Sequence, residues 1–234
     1  LFTDLTSRFR QPELMDEPDL DRAEHVAALR GLARINLLSF VSREVFERIQ
    51  ELPAPAGRPF RVLDVACGGG DVAVAVKRRA VRRGVPLEIH GCDISPTALD
   101  FARSRAEETG VEVAFHSVDA ITEALPGGFD LVYSSLFLHH LSDDEAAGFL
   151  RKLAGAGRAV LVQDLLRTRL GLFLALAAGH VLTRSPVVLN DGPRSVRAAF
   201  SLEEIRDLSS RAALRGVFIE PCWPERFALF WEAA

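Results

Sequence analysis

From about Leu20 to Leu52, apolar residues recur at mixed three- and four-residue steps (Val26, Leu29, Ile35, Leu38, Val45, Phe46, Ile49), which predicts helix. Gly31 and Asn36 are the positions where that stretch is expected to break in two. Residues 11–24 precede it with six acids, one arginine, Pro12 and Pro18, the composition of a solvated lead-in. The Pro/Gly stretch 53–59 ends this part, so 1–59 is expected to be an amino-terminal helical arm or lid.

Beyond the linker the rhythm alternates. Strand-type apolar runs fall at 61–67, 87–93, 111–119, 129–135 and 158–164, with helical patterns between them. Ser95 followed by Pro96, with Gly110 beyond, brackets one helix. Ser142 with Glu145 and Ser201 with Glu204 form two capping boxes. Two more strands, 216–221 and 226–231, are separated by too few residues for a crossover, so they pair antiparallel or lie apart. The prediction is an α/β fold over 60–234: a Rossmann-like, seven-stranded, mostly parallel sheet with an antiparallel last strand and helices on both faces. Residues 165–200 form a helical cap insertion, expected over the carboxyl edge of the sheet where ligands bind. Its 13-residue apolar run, Leu170 to Leu182, is short of the ~20 residues a bilayer span needs, so it is expected to line or cover a pocket.

Charge narrows the field. Twenty-eight basic against thirty-two acidic residues leave a net −4, which argues against nucleic-acid binding. The three cysteines, Cys67, Cys92 and Cys222, show no ligand spacing, so neither disulfide nor metal site is expected and a cytoplasmic, reducing compartment is. No signal-type segment opens the chain at Leu1. Nothing in the pattern sets an oligomeric state.

Chemistry concentrates at Leu63-Asp64-Val65-Ala66-Cys67-Gly68-Gly69-Gly70-Asp71, where a strand enters a glycine turn and then a helix. Gly68-x-Gly70-x-x-Ala73 alone matches a dinucleotide fingerprint, which keeps a nicotinamide-dependent oxidoreductase open. Asp93, 23 residues after Gly70, is placed to take ribose hydroxyls. Asp64 inside the strand end is poorly suited to a pyrophosphate, because both are anions, and suits a cofactor with an ammonium and a sulfonium. Asp119 ends the third strand, where it can accept from an adenine amine.

With these residues the chain resembles the class I S-adenosylmethionine-dependent methyltransferases, over roughly 60–164 and, in topology, 200–232. Within them it is most similar to the small-molecule branch that includes the ubiquinone and menaquinone biosynthesis enzymes. The acid-x-(Gly or Ala)-x-Gly-x-Gly motif is carried by Asp64, Ala66, Gly68 and Gly70. The resemblance implies that Asp64 and the loop Ala66, Cys67, Gly68 to Gly70 hold the methionyl part of S-adenosylmethionine. It implies that Asp93 takes the ribose, Ile94 packs on the adenine, and Asp119 and the backbone of Ala120 read its edge. Ser134 or Ser135 would line the methionyl pocket. The stretch ELMDEPDLD…ALRGLARIN resembles the amino-terminal arm of bacterial methyltransferases often found with type III polyketide synthases.

Phe137-Leu138-His139-His140-Leu141 follows the fourth strand, at the edge that faces the transferring methyl in the resembling family. A histidine suits removal of a proton from an acceptor oxygen, and Asp164, ending the neighbouring strand, can orient it. His140 is the expected base and His139 a capping or substrate contact. Arg194 and Arg197, in a polar Gly/Pro turn before the last helix, are expected at the pocket mouth to meet an acceptor anion. The implied activity is methylation of a small, aromatic or polyketide-like acceptor, most simply at oxygen. Carbon or nitrogen methylation by proximity alone, and a cofactor-binding protein without catalysis, stay open.

Overall fold

The arm is two helices in the computed structural model, which describes residues 4–17 and 19–233; Leu1 and Pro18 lie outside them. Helix α1 (Arg22–Leu38) starts where the Asp21 carboxylate accepts from the Ala23 and Glu24 N–H groups. Helix α2 (Val41–Glu51) buries Val41, Val45, Phe46 and Ile49 on one face. The break between them is at Ser39 and Phe40, the latter left-handed at φ 57°, and not at Gly31 or Asn36. Gly31 serves close approach instead: a Cβ there would fall 2.6 Å from Thr183 Oγ1 in the cap. Asn36 stays helical with its amide turned inward.

The acidic lead-in is solvated at Asp16, Glu17, Asp19, Asp21 and Glu24, but it is also docked. Leu14–Asp16 forms a 3-10 turn. Its Leu14 and Met15 N–H groups donate to the two oxygens of buried Asp191. Leu14, Met15 and Leu20 pack on Ala28, Val187 and Val188. Its apolar residues and Glu13 dock against the cap while its other charges stay in solvent.

Strand β1 (Phe60–Val65), α3 (Asp71–Arg83), β2 (Leu87–Asp93), α4 (Pro96–Thr109), β3 (Ala114–Ser117), β4 (Phe129–Ser135), α5 (Asp143–Ala156) and β5 (Gly157–Leu165) follow in alternation. Helix α8 (Leu202–Arg211), β6 (Phe218–Cys222) and β7 (Arg226–Glu232) close the chain. Ser95 caps α4, and both capping boxes form as the sequence predicts. The third strand is shorter than its apolar run. The sheet order is β3-β2-β1-β4-β5-β7-β6. β7 runs antiparallel to both β5 and β6, so it alone reverses direction. One face buries Leu63, Val132 and Val160 under α5 and α8; the other buries Val62, Leu131 and Leu161 under α2 and α3.

Between β5 and α8 the chain makes α6 (Arg169–Leu182) and α7 (Pro186–Ala198). A parallel bridge of Leu166 to Phe200 holds the two ends of this excursion together. The stretch from Asn190 to Arg197, expected as a turn, is inside α7 despite Gly192 and Pro193. Val187, Val188, Val196 and Ala198 are buried along it, and that packing outweighs local propensity.

Candidate active site

A cavity of about 1380 Å³ lies over the carboxyl edge of the sheet, walled by the glycine turn, the ends of β2 to β5, the arm and the cap. Its wall is built from two kinds of local structure.

The first is the strand-to-helix turn after β1. Ala66, Gly68 and Gly70 all have positive φ, at 56°, 51° and 65°. For Ala66 that conformation costs roughly 1–2 kcal/mol. A Cβ on Gly70 would lie 2.9 Å from Ala102 Cβ and from Phe115 Cζ, so only glycine fits. A Cβ built on Gly68 would meet only Leu29, at 3.8 Å, which leaves open space on that side of the turn. Asp93 stands beside the turn. Its Oδ2 accepts from Gly68 N–H at 2.8 Å and its Oδ1 from Ser95 N–H at 2.9 Å. Each oxygen keeps capacity for one more donor, as a ribose diol requires. Burial pushes the Asp93 carboxyl up, against those two bonds.

Ala66, Cys67, Gly68, Ile94, Asp119, Ala120 and Ser135 share this wall. Ile94 is 63% exposed there, an apolar surface of the kind a purine covers. Asp119 accepts from the Thr122 hydroxyl at 2.6 Å and from Ile121 N–H at 2.9 Å, which hold its carboxyl low. The Cys67 thiol is pushed far up by burial and is inert packing beside the turn. Asp64, Gly70 and Ser134 are behind the wall. Asp64 accepts from the Tyr133 hydroxyl at 2.7 Å, while its Oδ1 is buried without a partner and burial drives its carboxyl well up. Ser134 is buried in the opposite face of β4, its Oγ also unpartnered. Asp64 thus lies beneath the turn with Tyr133 as its side-chain partner among the described residues.

The second part is the acceptor end. Leu138–His140 is a 3-10 turn directly after β4. Asp164, at the end of β5, accepts from His139 N–H at 3.0 Å, and its Oδ1 lies 2.6 Å from His139 Nδ1. The orienting carboxylate thus pairs with His139, whereas His140 was the expected base. The backbone hydrogen bond locks the turn so that residue 139 points down the strand edge. Burial alone would lower the His139 imidazole, but Asp164 and Glu13 push it up to about 10. Asp164 is held low by the same pair against its own burial.

Glu13 was read as part of a solvated segment, yet it is buried and completes this end. Its Oε1 accepts from the Ser195 hydroxyl at 2.6 Å and lies 3.5 Å from His139 Nε2. His140 is half-buried, its Nδ1 3.0 Å from Asp16 Oδ2. Arg8 fixes the turn from outside, donating to the His139 and Leu141 carbonyls at 3.3 and 2.9 Å. Glu13, Asp16 and Arg8 carry no motif and are 123 or more residues from the histidines, so no spacing signals them. Arg194 and Arg197 do not reach the cavity. Arg194 donates to the Pro12 carbonyl at 2.7 Å, and the Arg197 guanidinium sits 5.2 Å from the Phe9 ring centre. Both hold the arm, because α7 turns them away from the wall.

Between the two ends, Asp71, Asn36 and Arg226 form a buried polar bridge. Asn36 donates to Asp71 at 3.2 Å and accepts from Arg226 at 3.3 Å. Two further Arg226 nitrogens, Nε and Nη1, have no partner among the described residues.

Residues 62–158 match a family described as methyltransferase domain. That stretch is similar to methyltransferase domains, and the chain has the fold of S-adenosylmethionine-dependent methyltransferases. A demethylmenaquinone methyltransferase of Thermus thermophilus is 39% identical over 108 residues, 45% of this chain and 47% of that one. A ubiquinone biosynthesis O-methyltransferase of Alkalilimnicola ehrlichii is 33% identical, over 58% of this chain and 55% of that one. The chain spans about half the length of the curated relatives it matches. An O-methyltransferase family 2 protein of Planctomyces limnophilus, solved in complex with apigenin, shares the fold with a TM-score of 0.64 at 21% identity, over 93% of this chain and 63% of that one. Other structures of the same fold hold S-adenosylhomocysteine, the spent cofactor. S-adenosylmethionine is the cofactor of this methyltransferase class, and the Asp93 carboxylate, the uncrowded space over Gly68 and the apolar Ile94 surface suit its ribose, methionyl and adenine parts. Among the described residues no helix is long and apolar enough to cross a membrane.

Proposed function

We propose that this methyltransferase moves the methyl group of S-adenosylmethionine to an oxygen of a small, aromatic or polyketide-like acceptor. The observation that carries this is the His139–Asp164 pair on a wall that is otherwise largely apolar. The bound cofactor supplies an electrophilic methyl on sulfur. Asp93, Ile94, Asp119 and Ala120 bind its nucleoside end, and the turn from Ala66 to Gly70 its methionyl end, with Asp64 beneath that turn and Ser135 beside it.

At the acceptor end His139 acts as base in its neutral fraction, which grows as pH rises toward about 10: Nε2 takes the hydroxyl proton while Asp164 holds Nδ1–H and fixes the tautomer. With the cofactor held by the turn, its sulfonium would supply the methyl, and the residues of the two ends would hold the acceptor oxygen in line with it. Glu13 and Ser195 hold the space where the hydroxyl would enter, and His140 stacks at that entrance beside Phe137. The arm (1–59) and the cap (165–200) shape the acceptor pocket of the 60–234 domain, with Leu174, Ala178 and Val188 supplying apolar wall. The unpaired cysteines suit a reducing, cytoplasmic setting.

Isothermal titration with S-adenosylmethionine and with NAD tests the cofactor. Heat with NAD and none with S-adenosylmethionine would end the reading. A mass shift of one methyl group across a panel of phenols, with matched carbon and nitrogen acceptors, tests the rest. Oxygen methylation that is lost in His139→Ala is the expected outcome; carbon or nitrogen products that survive it would leave proximity alone as the mechanism.

A further inference from the structure

The acceptor end holds more than one proton transfer needs. A base and a single orienting carboxylate suffice for that, and His139 with Asp164 supplies both. The wall adds a second imidazole and two more carboxylates. Both imidazoles turn their Nε2 toward Glu13, His139 at 3.5 Å and His140 at 3.9 Å. Both have Nδ1 already engaged by another carboxylate, Asp164 at 2.6 Å and Asp16 at 3.0 Å. One ligating atom from each of Glu13, His139 and His140 lies within 4.8 Å of the other two. All three residues face the cavity.

We propose that Glu13, His139 and His140 bind one divalent first-row transition-metal ion, with its open side toward the acceptor.

Three features support the site. An imidazole that binds a metal through Nε2 keeps its proton on Nδ1 and donates it to a carboxylate, which fixes the tautomer and strengthens the ligand. Both rings are already arranged that way. Two imidazoles and one carboxylate make a mixed nitrogen–oxygen set of the kind borderline ions take, whereas magnesium and calcium favour oxygen alone. With bonds of ~2.1 Å, ligand atoms around a tetrahedral ion stand roughly 3.4 Å apart, so the set must contract by on the order of one ångström. Finally, three carboxylates surround two imidazoles here, and a dication offsets that excess.

The ion's purpose rests on the proposed methyl transfer; its existence does not. An acceptor hydroxyl reaching the ion's open side would lose its proton to solvent, with His139 then a ligand. In the metal-free protein His139 takes that proton itself.

The test is titration of the chelator-stripped chain with Co2+, followed by its visible absorption, with Zn2+ competition by calorimetry. One equivalent is expected. Glu13→Gln, His139→Ala and His140→Ala should each weaken it at least tenfold. The double variant His90→Ala/His116→Ala removes the other imidazole pair, at the sheet edge 3.0 Å apart, and should keep that equivalent. No stoichiometric binding overturns the proposal. So does binding that the three site variants retain and the sheet-edge variant loses. S-adenosylmethionine affinity measured on each sample reports folding and separates the two readings. Cofactor binding without Co2+ binding removes only the metal site, and the reverse removes the methyl-transfer reading while the site stands.

Discussion

The two ends of the cavity are built by opposite means. The cofactor end comes from consecutive pieces of chain: β1 and its turn, the end of β2 at Asp93, and the end of β3 at Asp119. Its geometry is fixed by backbone needs, above all the glycine φ of Gly68 and Gly70 and the N–H groups that hold Asp93. The acceptor end is gathered from the arm, the ends of β4 and β5, and the cap, and its geometry is fixed by side chains meeting across long sequence distances. The first end is a scaffold property and the second a docking property, so damage to one should leave the other intact.

His139→Ala should break that symmetry most. A positioned general base contributes roughly 10²–10⁴-fold, so kcat for an oxygen acceptor is expected to fall by that range. Affinity for S-adenosylmethionine should hold within twofold by calorimetry. His140→Ala should cost less, because its ring lacks the Asp164 contact. A larger loss in His140→Ala than in His139→Ala would return the base assignment to His140.

Asp93→Ala is the mirror experiment. A hydrogen bond to a charged group is worth ~1.5–3 kcal/mol, which is about a 10- to 150-fold loss of cofactor affinity. Turnover at saturating cofactor should stay near wild type. An unchanged affinity would remove Asp93 from the ribose site and weaken the division between the two ends.

Asp191→Ala sharpens the docking side. It removes the acceptor of the Leu14 and Met15 N–H groups, so Glu13 loses its placement. Arg8 and Arg194 still tie the arm down, so only part of the ~1.5–3 kcal/mol of such bonds is lost. About a tenfold fall in kcat/KM for the acceptor is expected, in steady-state assays, with cofactor affinity unchanged.

What the sequence showed follows the same division. The order of strands and helices, the caps at Ser95, Ser142 and Ser201, and the turn from Ala66 to Gly70 are local and were readable. So was the approach of Asp164 to the His139–His140 pair, because adjacent parallel strands end together. Which histidine meets Asp164 was not, since it depends on one backbone hydrogen bond from residue 139. Glu13 was hidden because its burial depends on Asp191 and Ser195 in a helix that Gly192 and Pro193 made unreadable. Arg194 and Arg197 were misplaced for the same reason. Once that segment is helical, they point at the arm and not at the cavity.

The smallest effect belongs to a place that serves neither end. Asp130 opens β4 at the amino edge of the sheet, buried, and accepts from Arg58 at 2.6 and 2.7 Å and from Arg61 N–H at 2.8 Å. Burial would raise its carboxyl, but these donors hold it below the ordinary carboxylate range. A carboxyl depressed in the folded state contributes stability that is present above its unfolded pKa and lost as pH falls through its folded value. Asp130→Asn should therefore lower Tm modestly at pH 7, and the gap from wild type should close as pH falls below about 4. Cofactor affinity and kcat at pH 7 should both be unchanged, because the substitution is at the far edge of the sheet. A gap that persists at pH 3 would mean that packing, and not the charge, holds this corner. A loss of activity would mean that the sheet transmits strain between its edges, and the separation of scaffold from docking would fail.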